Sequence, residues 1–355
     1  YEIEITDYDE NKHFFLAHYF RDSYDRAMSQ LPTVLSGISI NRIEVWITNK
    51  TNDYSNPRNI IAFTDIAESK HLSNDLWNML NSTGLPFNGA NDLYSQMTTT
   101  YSAIRDFDQV NNVIGNIGGM NGGLDYEKLS NARLLSSNEY TLNKELGFIS
   151  LKTALRADEV LAVAYEFTYG GQTYQVGEFS SDIPDNTKAL FVKSLKNAAN
   201  NPQQGNWHLM MKNVYYLASS VEKTKFRLDI KYQSDTAGVY LNYIPEQQVK
   251  STPIIRLLGA DRLDNNNRPH PNGYYDFVEG YTVDNGRVFL PAAEPFGRYL
   301  YRYLVRNGIG EEKAAKYAYT ELYDSTKTIA RQIAEKDKFI LQGQFKGTSS
   351  NVISL

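Results

Sequence analysis

The densest run of oxygen donors in the chain lies between Asp261 and Asp276 (DRLDNNNRPHPNGYYD). Calcium takes six to eight oxygens from carboxylates, amide carbonyls and backbone carbonyls, and a flexible loop can supply them. Asp261, Asp264, Asn266 and Asp276 are therefore the candidate ligands of a calcium loop, with Gly273 permitting a tight turn. The spacing is not that of an EF-hand, and Arg262 and Arg268 dilute the charge. The competing reading is an Asn- and Pro-rich turn whose side chains bond only backbone. No catalytic constellation stands out elsewhere. The five histidines, at 13, 18, 71, 208 and 270, are scattered, and His13 and His18 do not share a helical face well. No HExxH, GxSxG or nucleotide-binding fingerprint occurs. The glycine-rich run 111–123 (NNVIGNIGGMNGG) lacks a following Gly-Lys-Ser/Thr and reads as a flexible linker. Glu294-Pro295-Phe296-Gly297 reads as a turn entering a helix. The expectation is a protein with no catalytic residues, not an enzyme.

Composition narrows the classes further. The chain has 355 residues, 36 basic and 41 acidic side chains, and no cysteine. The lack of Cys removes disulfides, thiolate nucleophiles and zinc-thiolate sites. A formal charge of −5 argues against a general nucleic-acid binder, which carries a basic excess. Tyr (26) outnumbers Phe (16), and Tyr keeps its hydroxyl wet while burying its ring, which suits broad polar interfaces. No run approaches the ~18 apolar residues of a membrane helix. The opening Tyr1-Glu2-Ile3-Glu4-Ile5 already alternates like a strand, and 344–355 again looks like strand material. The chain therefore reads as an internal fragment of something longer.

The elements that would position these residues follow from periodicity. Helices are expected at 9–31, from Ser73 as an N-cap, at 91–114, at 187–199, at 296–306 and at 311–334. Strands are expected at 38–49, 59–66, 140–151 (two, around a turn), 159–169, 172–179, 208–217, 226–232 and 239–243. Asp284-Asn285-Gly286 marks a hairpin between 281–283 and 287–290. The hairpins at 140–151 and 281–290 share a plan, either as two related sandwich-like units or as two ordinary hairpins. The expected fold class is α+β, with β-sandwich-like units, peripheral helices and a helical N-terminal half. Its parts are a mixed segment 1–123, a β-rich segment 124–295, and C-terminal helices with a strand remnant at 296–355.

Several runs carry a family resemblance. They are 13–22 (HFFLAHYFRD), 41–49 (NRIEVWITN), 131–135 (NARLL) with 139–143 (EYTLN), 157–166 (ADEVLAVAYE), 174–180 (YQVGEFS), 207–215 (WHLMMKNVY) and 294–297 (EPFG). Together they resemble the SprA/Sov family, the outer-membrane translocons of the Bacteroidota type 9 secretion system. The resemblance implies an extremely large single-chain barrel that exports folded proteins to the cell surface and serves gliding motility. It implies that this chain is one soluble part of it outside the lipid, an extracellular cap first and a periplasmic piece second. The implied partners are the rest of the barrel polypeptide, a plug protein, a shuttle lipoprotein, a prolyl-isomerase-like protein and secreted cargo. The expected role is structural and gating. The rival from another class is a cell-surface carbohydrate-binding or adhesin module.

Overall fold

The computed structural model describes residues 2–236 and 238–346, and the backbone of 352–354. The strands in chain order are β1 (Glu2–Glu4), β2 (His13–Phe15), β3 (Ile38–Ile47), β4 (Arg58–Phe63), β5 (Tyr126–Leu134), β6 (Tyr140–Asn143) and β7 (Phe148–Leu151). They continue as β8 (Leu161–Tyr169), β9 (Gln172–Val176), β10 (Leu190–Lys196), β11 (Val214–Tyr216), β12 (Glu222–Gln233) and β13 (Tyr240–Leu241). The last are β14 (Val283–Asp284), β15 (Arg287–Phe289), β16 (Phe339–Lys346) and β17 (Val352–Ser354). The α-helices are α1 (His18–Ala27), α2 (Leu93–Thr98), α3 (Val110–Ile114), α4 (Ile254–Leu257), α5 (Leu300–Arg306), α6 (Glu311–Tyr317), α7 (Glu321–Asp324) and α8 (Lys327–Ala330). They assemble into two interleaved units, one of residues 1–10, 24–35 and 212–355, the other of 11–23 and 36–211.

The second unit is built on a closed barrel. β10, β4, β5, β3 and β8 pair in sequence, and β10 returns to β8 to close the ring, with β9 added beside β8. Only the β10–β4 pair is parallel within it. Side chains alternate across each strand. Ile60 and Ala62 of β4 and Leu190 and Val192 of β10 join one core with Trp46, Ala162 and Ala164. Small side chains suit the narrow interior of a five-stranded ring. The intervening residues, Ile61, Phe63 and Phe191, join a second core with α2, α3 and Met120. Both faces of β4 and β10 are thus covered. A separate sheet, β2-β7-β6, completes the unit.

The first unit centres on β16. It pairs antiparallel with β12 on one side, and with β1 and β17 at successive positions elsewhere. Its core gathers Leu228 and Ile230 of β12, Leu341 of β16, and Phe296, Leu300, Leu322 and Tyr323 from the C-terminal helices. A small sheet, β11-β15-β14, carries the Asn-Gly hairpin, with Asn285 and Gly286 both at positive φ (47° and 72°).

The expected fold class needs correction. The chain is mostly β, 28% strand against 19% helix, and a closed barrel stands where sandwich-like units were expected. No helical N-terminal half forms, since the first helix begins at His18. Residues 13–15 form β2 instead, all three buried, with Phe14 opposite Ile149 of β7. The expected helix at 187–199 is β10, whose seven residues are all buried, so no alternation shows in its sequence. The expected helix at 91–114 breaks into short turns of helix. Thr98 and Thr99 hydroxyls donate to the Tyr94 and Ser95 carbonyls, competing with continued helix. No helix starts at Ser73, whose N–H and hydroxyl both donate to Asp65 Oδ1.

Candidate binding cleft

The acidic loop 261–276 folds back on itself within the first unit. Asp261 is fully buried, and Oδ1 accepts the Asn272 N–H (2.9 Å). Oδ2 accepts the Gly273 N–H (3.0 Å) and the Arg256 guanidinium (3.2 Å). Asp276 is also buried, and its two oxygens accept the N–H groups of Arg262 (2.7 Å) and Leu263 (3.0 Å). Burial pushes the Asp276 carboxyl up to about 6 against those two bonds, and Asp261 nearby adds to the rise. Asp264 Oδ1 accepts from the Asn266 and Arg268 N–H groups, which hold its carboxyl below the usual range. Asn266 is exposed.

Of the four candidate calcium ligands, the structure brings Asp261 and Asp276 near each other and leaves Asp264 and Asn266 on the loop tip. Among the described residues of this unit, no three His, Asp or Glu side chains converge closely enough to share an ion. All four oxygens of Asp261 and Asp276 already accept hydrogen bonds. This donor set does not fit calcium. It does fit the alternative of side chains tying a turn to its own backbone.

The wall facing this loop carries the opposite charge. Strand β12 alternates Lys223, Lys225 and Arg227, all exposed, with Phe226, Leu228 and Ile230, all buried. Its pairing with β16 slips between Glu222↔Lys346 and Arg227↔Gln344, where five steps of β12 span two of β16. Lys225 sits in that bulge at φ 64°, a conformation that costs a non-glycine residue energy. Gly343 of β16 makes the close approach feasible, because a Cβ there would strike the Arg227 carbonyl. The bulge therefore re-aims the cationic face at the loop.

Between strand and loop lies a cavity of about 450 Å³. Lys223, Lys225 and Arg227 line one side, and Asn265, Asn272 and Tyr274 line the other. The Arg227 guanidinium lies 4.3 Å from the Tyr274 ring centroid and also donates to the Tyr274 hydroxyl. Lys223 Nζ donates to Asn267 Oδ1 at 3.3 Å. The lining carboxylates, Asp264 and Asp276, are turned onto backbone N–H groups of the loop, and the cations outnumber them. The sequence signal of this wall is Lys223-Thr224-Lys225-Phe226-Arg227, where cations recur every second residue.

The second unit holds its own buried charges, and these are structural. Glu178 accepts two bonds from Arg105, one from the Tyr94 hydroxyl (3.0 Å) and one from the Phe191 N–H (2.8 Å). Lys193 and Glu68, both nearly fully buried, pair at 3.0 Å. Arg58 donates to the carbonyls of Ser180, Ile183, Asp185 and Lys188, fixing the chain between β9 and β10. Each buried charge is matched inside the fold, as such groups must be.

No protein-family model matches the chain, and no curated protein matches it.

Proposed function

We propose that this chain is a non-enzymatic module of a SprA/Sov-type outer-membrane translocon, lying outside the lipid beside a protein-conducting barrel. The observation that carries the reading is the set of resembling runs, and three of them coincide with the closed barrel and its edge. Residues 41–49 fall on β3, 157–166 lead into β8, and 174–180 cover the end of β9 and the turn after it. A rigid ring with filled cores is suited to a steric role, roofing or narrowing a pore. No helix among the described residues is long and apolar enough to cross a membrane. In this reading the extracellular side is preferred. The plug protein, shuttle lipoprotein, prolyl-isomerase-like protein and cargo are the surfaces' partners.

The chain contains no cysteine, so an introduced one is a unique label within it. Leu80→Cys and Tyr216→Cys place thiols at exposed positions, one in each unit. In the whole protein on intact cells, an impermeant maleimide is expected to react with both. Reaction only after outer-membrane permeabilisation would move the module to the periplasm. Recovery of the protein in the cytosolic fraction would overturn the reading.

A further inference from the structure

We propose that the cleft between β12 and loop 261–276 is a binding site for an acidic saccharide, a sugar chain carrying carboxylate or sulfate groups. The charge of the cleft points to an anion. Lys223, Lys225 and Arg227 all line the cleft and are exposed, while the two acids in the wall, Asp264 and Asp276, are turned onto backbone N–H groups of the loop. This cationic concentration occurs in a chain of net charge −5, so it is not a general property of the surface.

Geometry supports a built site. Lys225 is held in a left-handed conformation by a bulge, and such local strain collects at functional positions. Arg227 is stacked on Tyr274, which fixes the guanidinium plane and leaves its remaining N–H edge to grip a planar carboxylate or a sulfate. Three cations within five residues of the bulged strand line one wall of the cleft, where an extended anionic ligand could meet all of them.

The rest of the lining favours a sugar over an acidic peptide. Thr224, Asn265 and Asn272 offer hydroxyl and amide groups suited to ring hydroxyls. Of the aromatic residues at its base, Phe226 and Tyr275 are buried in the core, and the half-buried Phe277 packs edge-on against Phe226, leaving a ring surface on which a sugar face can lie. The inference does not depend on the translocon reading, because the cleft lies wholly within one unit and the purified chain suffices to test it.

The test is calorimetric titration of the 355-residue chain with a galacturonate hexasaccharide, a heparin-derived hexasaccharide, maltohexaose and a short polyglutamate. One or both acidic sugars are expected to bind, more weakly as salt rises, while maltohexaose does not bind. The Lys223→Gln/Lys225→Gln double variant should lose about tenfold or more in affinity. Arg227→Lys should also weaken binding, since a lysine cannot reproduce the stacked fork. Lys231→Gln, on the same strand but outside the cleft, should bind as the parent does, and circular dichroism should show every variant folded. If neither acidic sugar binds at low salt, or the double variant binds like the parent, the site is not there. Polyglutamate binding as tightly as the sugars would overturn the saccharide assignment.

Discussion

At the residue scale, burial decides what each carboxylate can do. Asp261 spends both oxygens on the Asn272 and Gly273 N–H groups and on Arg256. Asp261→Ala removes a fully buried acceptor and the bonds that tie residues 272–273 and Arg256 to it, and should cost roughly 2–4 kcal/mol, read by denaturant unfolding. Adding calcium or a chelator should leave the melting temperature of the parent unchanged; a calcium-dependent rise would restore the loop as a metal site. Asp337 behaves differently. Burial pushes its carboxyl up to about 6, Glu4 and Asp7 push the same way, and Arg331 opposes them. Folded Asp337 thus binds its proton more tightly than unfolded Asp337. Its contribution is fully present below the ordinary value of 3.8 and is lost as pH rises through about 6. Asp337→Asn should therefore flatten the fall in stability between those values. Melting curves with equal pH slopes in parent and variant would show that Asp337 does not titrate in this way.

At the scale of elements, local turn chemistry was readable and two-sided burial was not. Asn285-Gly286 predicts a tight hairpin, and both residues adopt the positive φ that such a turn requires. Gly170-Gly171 does the same between β8 and β9. Gly286→Ala would force a Cβ against the Ala218 carbonyl at φ 72°. It should destabilise the fold by roughly 2 kcal/mol or more, measured by urea unfolding. The β10 run, Leu-Phe-Val-Lys-Ser-Leu-Lys, hid its nature. Apolar residues covered on both faces carry no period of two, so the run does not read as a strand. Its two lysines are buried: Lys193 pairs with Glu68, and Lys196 Nζ donates to the carbonyls of Ala157, Glu159 and Asn197. The long expected helices failed for another reason. Their apolar spacing was real, but side-chain hydroxyls and caps, such as Thr326 Oγ1 accepting the Ile329 N–H, divide them into short helices, 311–334 for example into α6, α7 and α8. The cleft was half legible. Its acidic loop and the cations of Lys223-Thr224-Lys225-Phe226-Arg227 both stand in the sequence, whereas the bulge that sets them beside the loop has no single-sequence mark.

At the scale of the whole molecule, the closed ring raises the question of which medium it faces. A transmembrane barrel turns apolar side chains to lipid and keeps a polar interior, and it needs at least eight strands. This ring has five, and its interior is the apolar side, filled by Trp46, Ile60, Leu190, Val192 and a group of alanines. Arg42, Ser130 and Asn131, on its strands, are exposed. Part of the ring's outer face is covered by the insertion between β4 and β5, whose Leu93, Met97, Val110 and Ile114 pack on Ile61, Phe63 and Phe191, and part by Phe20 of α1 against Tyr165 and Phe167 of β8. Five strands around an apolar interior do not make a transmembrane barrel, so this ring is not itself a membrane pore. The 355-residue chain expressed alone should therefore fold without detergent and give a β-dominated far-ultraviolet spectrum. Near-ultraviolet dichroism, from rings such as Trp46 and Tyr165 held in fixed environments, should vanish cooperatively on heating. The hydrophobic insertion also predicts the weak point: Phe63→Ala or Phe191→Ala removes one of two rings in edge-to-face contact at 5.9 Å and should cost roughly 3–5 kcal/mol. A chain that requires detergent to remain monomeric, or that melts without cooperativity in its absence, would show that these faces belong against lipid or against another part of a larger assembly.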